Sequence, residues 1–358
     1  MRLIAPHGID ECAKGVELIS FPWHESRAVR MFLATSMLPL LLRQRADLYH
    51  FHDPELLIVG LALKLIYRKK VIYDSREDYP LMMRTKSYIP GCLRSLAGSL
   101  LTGLELLAAS CLDGIVTADS GTLRRLARTG KSRKRVFFNF PNLEVFPKSS
   151  PITPAYDVVY RGGLSERAGT LLLLEAIHTL AKQSKSIRLL LLGYYDNAGS
   201  ESLVRGHIQA LGLQNDVELR GRIAHHEMAD VLRQARVGVC PLLAIPKYMR
   251  NIPVKVFEYW ACGLPVVASD LPPIRPFFRE REYGILVKPG DSGQLAHAIG
   301  WLLDHPQDAI RMGQRARQAV VERLNNRREV RKLLSFYRRI LDHPHDRKAF
   351  TSPRYPAA

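Results

Sequence analysis

The chain is short of cysteine, of acid and of long apolar runs, and each shortage removes a class of protein. Its 358 residues include five cysteines, Cys12, Cys92, Cys111, Cys240 and Cys262. The number is odd and no two form a C-x-x-C pair. Neither a disulfide framework nor a zinc site is expected from them, and a reducing cytoplasm is the expected compartment. No stretch reaches the ~18 uninterrupted apolar residues of a membrane span. The nearest, Leu93–Ala118, is interrupted by Arg94, Glu105 and Asp113, and reads as an apolar helix feeding a buried strand. Met1–Pro6 is too short for an apolar signal region, so no signal peptide is expected. Acid is scarce: 34 Asp and Glu face 52 Lys and Arg, a formal net charge of +18. That excess favours an anionic partner, such as a phosphate-bearing substrate or the inner face of a membrane. The densest basic run, Arg124–Arg135, reads first as a solvated face. No helix-turn-helix, zinc or RNA-binding motif accompanies it, so nucleic acid is not expected as a partner.

What is present is alternation. Short runs of Val, Ile and Leu, such as Lys70–Asp74, Gly114–Thr117, Asp157–Tyr160 and Arg188–Leu192, are separated by helical patterns such as Thr170–Gln183. This is the signature of α/β folding around parallel sheets. The length fits two domains. The Pro-Lys-Ser-Ser-Pro-Ile-Thr-Pro stretch, Pro147–Pro154, reads as the break between them. The expected layout is a first Rossmann-like domain over 1–147, a linker over 148–155, a second over 156–341, and a disordered tail over 342–358. The last helical pattern is read as one run from about Pro306 to Leu341. Ligands are expected in a cleft where the carboxyl ends of two such sheets face each other.

Two segments carry chemistry. In Tyr160–Gly169 a strand leaves through Gly162 and Gly163 and enters a helix near Thr170. Adjacent glycines let the backbone approach a ligand, and a helix N-terminus suits a diphosphate. Arg161 and Arg167 are candidates for charge-assisted bonds to phosphate. In Arg250–Asp270, a loop gives way to a short helix that Gly263 stops, and a buried strand follows. Glu258 falls early in that helix, where a carboxylate can accept bonds from a ribose diol. The amides of Asn251, Ile252 and Val254 precede the helix and are candidates to cradle phosphate; Pro253 has no amide hydrogen.

The run Asn251-Ile252-Pro253-Val254-Lys255-Val256-Phe257-Glu258-Tyr259, continued through Gly263 and Pro265 to Ser269, resembles the signature of the family-four retaining glycosyltransferases (glycosyl transferases group 1). The variant is that of bacterial surface-polysaccharide enzymes. The Gly162–Gly169 turn is similar to the same family's phosphate loop. The resemblance covers residues 1 to about 340. It implies a GT-B fold of two Rossmann-like domains and a UDP- or GDP-sugar donor. It further implies transfer with retention to a glycan or lipid-linked acceptor, and no required metal or other cofactor. Glu258 matches the glutamate that holds the donor ribose, and Lys255 is a second candidate for phosphate. Arg167 falls one position from the family's basic residue, which aligns with Ala168. Arg250 stands where the common pattern has a glutamate that contacts the sugar.

In the first domain, His50-Phe51-His52-Asp53-Pro54 and Asp74-Ser75-Arg76 follow strands and resemble the same subgroup. Arg76 stands where the family usually has His. His52, Arg76 and Arg250 are therefore the candidates on the sugar and acceptor side. His50 and His52 are expected to face opposite ways, with at most one lining the site. Relative to the family, the opening strand, Gly-rich loop and helix are missing before Arg2–His7, so an upstream in-frame extension is expected. Two readings follow: an active transferase held at the inner membrane face by its basic surface, or a degenerate subunit that binds a glycan or partner enzyme.

Overall fold

The computed structural model describes residues 1–5, 11–13, 15–22, 24, 27–85, 89–127, 132–148, 153–183, 186–279 and 281–342. Arg128 and Lys131 of the basic run, part of the expected linker, and the tail from 343 lie outside them. The chain divides into two compact units. Among the described residues, one is Met1–Phe137 together with Leu333–Asp342; the other is Phe138–Lys332.

The first unit holds β1 (Arg2–Ala5), β2 (Glu11–Ala13), β3 (Val16–Ser20), α1 (Arg27–Arg43), β4 (Leu48–Phe51), α2 (Leu57–Leu65), β5 (Lys70–Ser75), α3 (Tyr79–Thr85), α4 (Gly91–Cys111), β6 (Gly114–Thr117), α5 (Ser120–Ala127) and β7 (Arg133–Val136). Strands β4 to β7 form a parallel four-stranded sheet in sequence order, while β1, β3 and β2 form a separate three-stranded one. Strand β5 is buried from Val71 to Ser75, as a parallel strand covered on both faces must be. By length and apolarity α4 would span a bilayer, but its Glu105 is fully buried. That carboxylate accepts from Tyr73, Ser75 and Arg125 at 2.9, 3.2 and 2.7 Å, which ties α4 into the unit as a domain helix.

The second unit holds β8 (Tyr156–Leu164), α6 (Thr170–Ala181), β9 (Leu189–Tyr195), α7 (Ala198–Ala210), β10 (Val217–Arg220), α8 (Met228–Leu232), β11 (Ala235–Cys240), α9 (Val254–Ala261), β12 (Val266–Ser269), β13 (Gly284–Val287), α10 (Ser292–Asp304) and α11 (Pro306–Glu322). A last helix, α12 (Asn326–Asp342), begins here and ends in the first unit. All six strands are parallel, in the order β10-β9-β8-β11-β12-β13. The order reverses between β8 and β11, and ligands of doubly wound sheets bind outside the carboxyl ends at that switch point.

Two boundaries differ from the sequence reading. The units part at Phe138 rather than at the proline-rich stretch, because Phe140 and Phe146 are buried in the second unit's core. The helical run from Pro306 is broken at Asn325. This buried side chain donates to the carbonyls of Val320 and Val321 and accepts from the amide of Arg328. One residue thus caps the end of α11 and the start of α12. The far half of α12 then packs Phe336 and Ile340 against Ile72, Val116 and Phe137 of the first unit's sheet. Helical periodicity marks an apolar face but not the partner that covers it.

Candidate functional site

Three glycines shape the carboxyl end of β8. Gly162 has φ +147° and Gly193, beside it on β9, has φ +159°; a Cβ on Gly193 would overlap the carbonyl of Gly162. Gly169, at φ +78°, starts α6 so close to β11 that a Cβ would overlap the carbonyl of Pro241. The left-handed conformation and the close approach both demand glycine here. Gly163, by contrast, would place a Cβ in ordinary contact, with Asp196 Oδ1 nearest at 3.7 Å.

Helix α9 presents its residues to this turn. Tyr259 is fully buried; its hydroxyl accepts from the Arg161 amide at 2.7 Å and donates to the Val239 carbonyl at 3.3 Å. That bond fixes β8 against α9 and β11. Lys255 donates from Nζ to the Tyr160 hydroxyl at 3.1 Å and rests 4.3 Å above the Tyr160 ring. A Cβ at Gly162 would lie 2.5 Å from the same Nζ, so the ammonium is held at the glycine turn. Its polar partner is a phenol, not a carboxylate. Burial pulls its pKa below the ordinary lysine value, the mark of a charge short of compensation. Nearby, burial pushes the Cys240 thiol up to about 11, which leaves it protonated and inert.

Glu258, the fifth residue of α9, is 4% exposed. Its Oε2 lies 2.8 Å from Arg161 Nη1, but this charge contact lacks the alignment of a hydrogen bond. Burial raises the Glu258 pKa, and Arg161, His225 and Lys255 oppose the rise. A buried carboxylate with acceptor capacity to spare therefore sits on the same helix as an ammonium facing the glycine turn.

Other sequence candidates fall differently. Arg167 spends its guanidinium on Asp196 Oδ2 at 2.7 and 3.1 Å, at a well-exposed position. The Asn251 amide donates to the Lys247 carbonyl at 3.0 Å, so the expected phosphate cradle retains at most the amides of Ile252 and Val254. Pro253 is the N-cap of α9, and Arg250 lies in the preceding turn. Gly263, at φ +79°, closes the helix as expected. The sequence reading missed Tyr160, Gly193, Asp196 and the hydroxyl of Tyr259, because a buried tyrosine looks apolar until its partner across the sheet is known.

In the first unit, His50, His52 and Arg76 converge on Asp74 at the carboxyl end of β5. His50 Nε2 and His52 Nδ1 lie 3.5 and 3.2 Å from Asp74 Oδ2, and Arg76 Nε donates to the same oxygen at 2.7 Å. The histidines therefore share a side, which corrects the expectation that they face opposite ways. Residues i and i+2 of a strand point to one face. The β4–β5 register pairs His50 with Ile72 and Phe51 with Tyr73, so His52 and Asp74 are the next positions along. Asp74 is fully buried; burial pushes its pKa up, but His50, His52 and Arg76 outweigh that and hold it well below the ordinary carboxylate range.

This geometry agrees with comparisons to known proteins. Residues 155–305 match the family described as glycosyl transferases group 1. Across 319 residues, 88% of this chain and 80% of the relative, the chain is 23% identical to a GDP-mannose:cellobiosyl-diphosphopolyprenol alpha-mannosyltransferase of Xanthomonas oryzae pv. oryzae. Among solved structures, sucrose-phosphate synthase from Thermosynechococcus elongatus superposes with a TM-score of 0.75 at 20% identity, over 95% of this chain and 89% of that one. Anabaena HepE in complex with UDP gives a TM-score of 0.69 at 17% identity, over 90% and 85%. The fold is that of the GT-B glycosyltransferases. Residues 155–305 form a glycosyl transferases group 1 domain, and the chain is a glycosyltransferase.

Proposed function

We propose that the second unit binds a nucleoside-diphosphate sugar, UDP- or GDP-linked. The observation that carries this is the pairing on α9 of Lys255, an ammonium aimed at the Gly162 turn, with Glu258, a buried carboxylate. Glu258 accepts from the ribose hydroxyls and Lys255 neutralises the diphosphate as it departs. Stabilising charge that develops on a leaving group is where an electrostatic site contributes most. Arg161 and Lys255 supply positive charge that would otherwise fall to a metal, and we assign no metal or other cofactor to donor binding. The UDP bound by HepE and the GDP-mannose named for the Xanthomonas relative support a nucleotide donor in each chemistry.

The acceptor in this reading is a glycan or lipid-diphosphate-linked glycan of cell-surface polysaccharide synthesis, as the same relative's name suggests. Transfer proceeds with retention, the departing phosphate helping to take the acceptor proton. His52, Arg76 and Arg250 are the side chains assigned to the sugar and acceptor. The enzyme works on the cytoplasmic side, held peripherally at an anionic membrane. Exposed Leu93, Leu96, Leu100 and Leu107, spaced along one face of α4, and the +18 net charge support that placement. A screen of UDP- and GDP-sugars for nucleotide release, followed by linkage mapping of the product, tests the donor and the stereochemistry. Failure of every nucleotide to bind would overturn the reading. Vesicle sedimentation that ignores anionic lipid content would remove the membrane part alone.

A further inference from the structure

The first unit holds a cluster that the nucleotide contacts leave unused. Among the described residues, His50, His52 and Asp74 bring one ligand atom each within 4.8 Å of one another. A metal bound tetrahedrally at about 2.0–2.1 Å separates its ligand atoms by about 3.3 Å. The separations from Asp74 Oδ2, 3.5 Å to His50 Nε2 and 3.2 Å to His52 Nδ1, bracket that length. His50 Nε2 and Asp74 Oδ1 are both buried with no hydrogen-bond partner, so their capacity is unspent. The other ring nitrogen of His50, Nδ1, meets the hydroxyl of Tyr337. Such an outer contact is what orients a ligating imidazole.

We propose that His50 Nε2, His52 Nδ1 and the Asp74 carboxylate form a binding site for a divalent cation of the zinc class. Two imidazoles and one carboxylate suit that class, whereas magnesium and calcium take oxygen ligands. Three protein ligands leave a fourth position, on the side of His52, whose side chain is 53% exposed. The site shares no residue with α9 and so stands apart from the nucleotide contacts, but it shares His52 and Arg76 with the proposed sugar and acceptor side. It has one built-in competitor. Arg76 holds Asp74 Oδ2 through both Nε and Nη2 at 2.7 Å, and a guanidinium and a metal cannot both saturate one oxygen. The Arg76 side chain is 34% exposed and has solvent to move into. Removing its charge therefore tightens metal binding.

The experiment titrates the tag-free full chain with Co²⁺, followed by visible absorption, and then displaces the cobalt with Zn²⁺. The expected result is the intense spectrum of four-coordinate cobalt, erased by zinc. The His52→Ala variant, altered at an exposed side chain, weakens binding by at least roughly tenfold, and Tyr337→Phe by about 10- to 100-fold, the usual range for an outer-shell partner. Arg76→Ala strengthens it by at least roughly tenfold, because it removes a competing positive charge 2.7 Å from the ligating oxygen. Circular dichroism confirms that each variant is folded. Wild-type affinity in folded His52→Ala overturns the proposal. So does the absence of stoichiometric binding in both the wild type and Arg76→Ala, which would leave Arg76 as the resident cation of Asp74.

Discussion

Replacing Glu258 by Gln separates binding from stability, because the two move in opposite directions. The wild-type carboxylate is 4% exposed, and its Oε2 has a charged neighbour at 2.8 Å without an aligned hydrogen bond. Hydrogen bonds to a charged group contribute about 1.5–3 kcal/mol and neutral ones about 0.5–1.5. Loss of the charge across two ribose hydroxyls therefore costs about 2–3 kcal/mol, or roughly 30- to 150-fold in Kd. Stability runs the other way. Burial raises the Glu258 pKa above its unfolded value despite Arg161. A carboxylate shifted upward contributes stability that is fully present below its unfolded pKa and is lost as pH rises through the folded one. Glutamine does not titrate, so Glu258→Gln gains on the wild type between acid and neutral pH and is at least as stable at neutrality. Calorimetric titration with UDP and GDP measures the first effect; urea midpoints on either side of the glutamate range measure the second. Wild-type nucleotide affinity in the variant would refute the ribose assignment. A variant less stable than wild type at neutral pH would refute the desolvation argument.

Three further outcomes follow from the same geometry. Lys255→Met weakens nucleoside diphosphates by roughly tenfold or more while sparing the nucleoside, since it removes one charged bond to phosphate, and titration of both ligands checks this. Because burial depresses the Lys255 pKa, the wild type loses stability as pH falls through the folded value, so Lys255→Met melts no lower at neutral pH. Gly169→Ala forces a Cβ into the Pro241 carbonyl at φ +78° and costs about 3 kcal/mol or more in urea unfolding; Gly163→Ala, with its nearest neighbour at 3.7 Å, costs about 1 kcal/mol or less. Tyr259→Phe leaves the Arg161 amide without its 2.7 Å acceptor and lowers stability by about 1–3 kcal/mol in the same assay, with a nucleotide Kd that rises as β8 loosens.

Strand positions were legible because buried parallel strands are short apolar runs, and β6 falls on the Gly114–Thr117 run that the pattern marks. The Gly162 turn and the stop at Gly263 were legible too, since glycine at a positive φ is a local requirement. Pairings were not. Arg161 and Arg167 look alike in sequence, yet one meets Glu258 and the other Asp196. The proline-rich stretch looked like a domain boundary, yet Phe140 and Phe146 before it already belong to the second core.

By itself the sequence determined the α/β class, the glycine geometry and the residues of α9, because these depend on periodicity, backbone freedom and local helix signals. Only the tertiary structure decided which charges those residues meet. It set Lys255 on a phenol at the glycine turn and joined His50 and His52 on Asp74. Such contacts form between strands and helices far apart in the chain, and their energies depend on distance and burial, which no local pattern records.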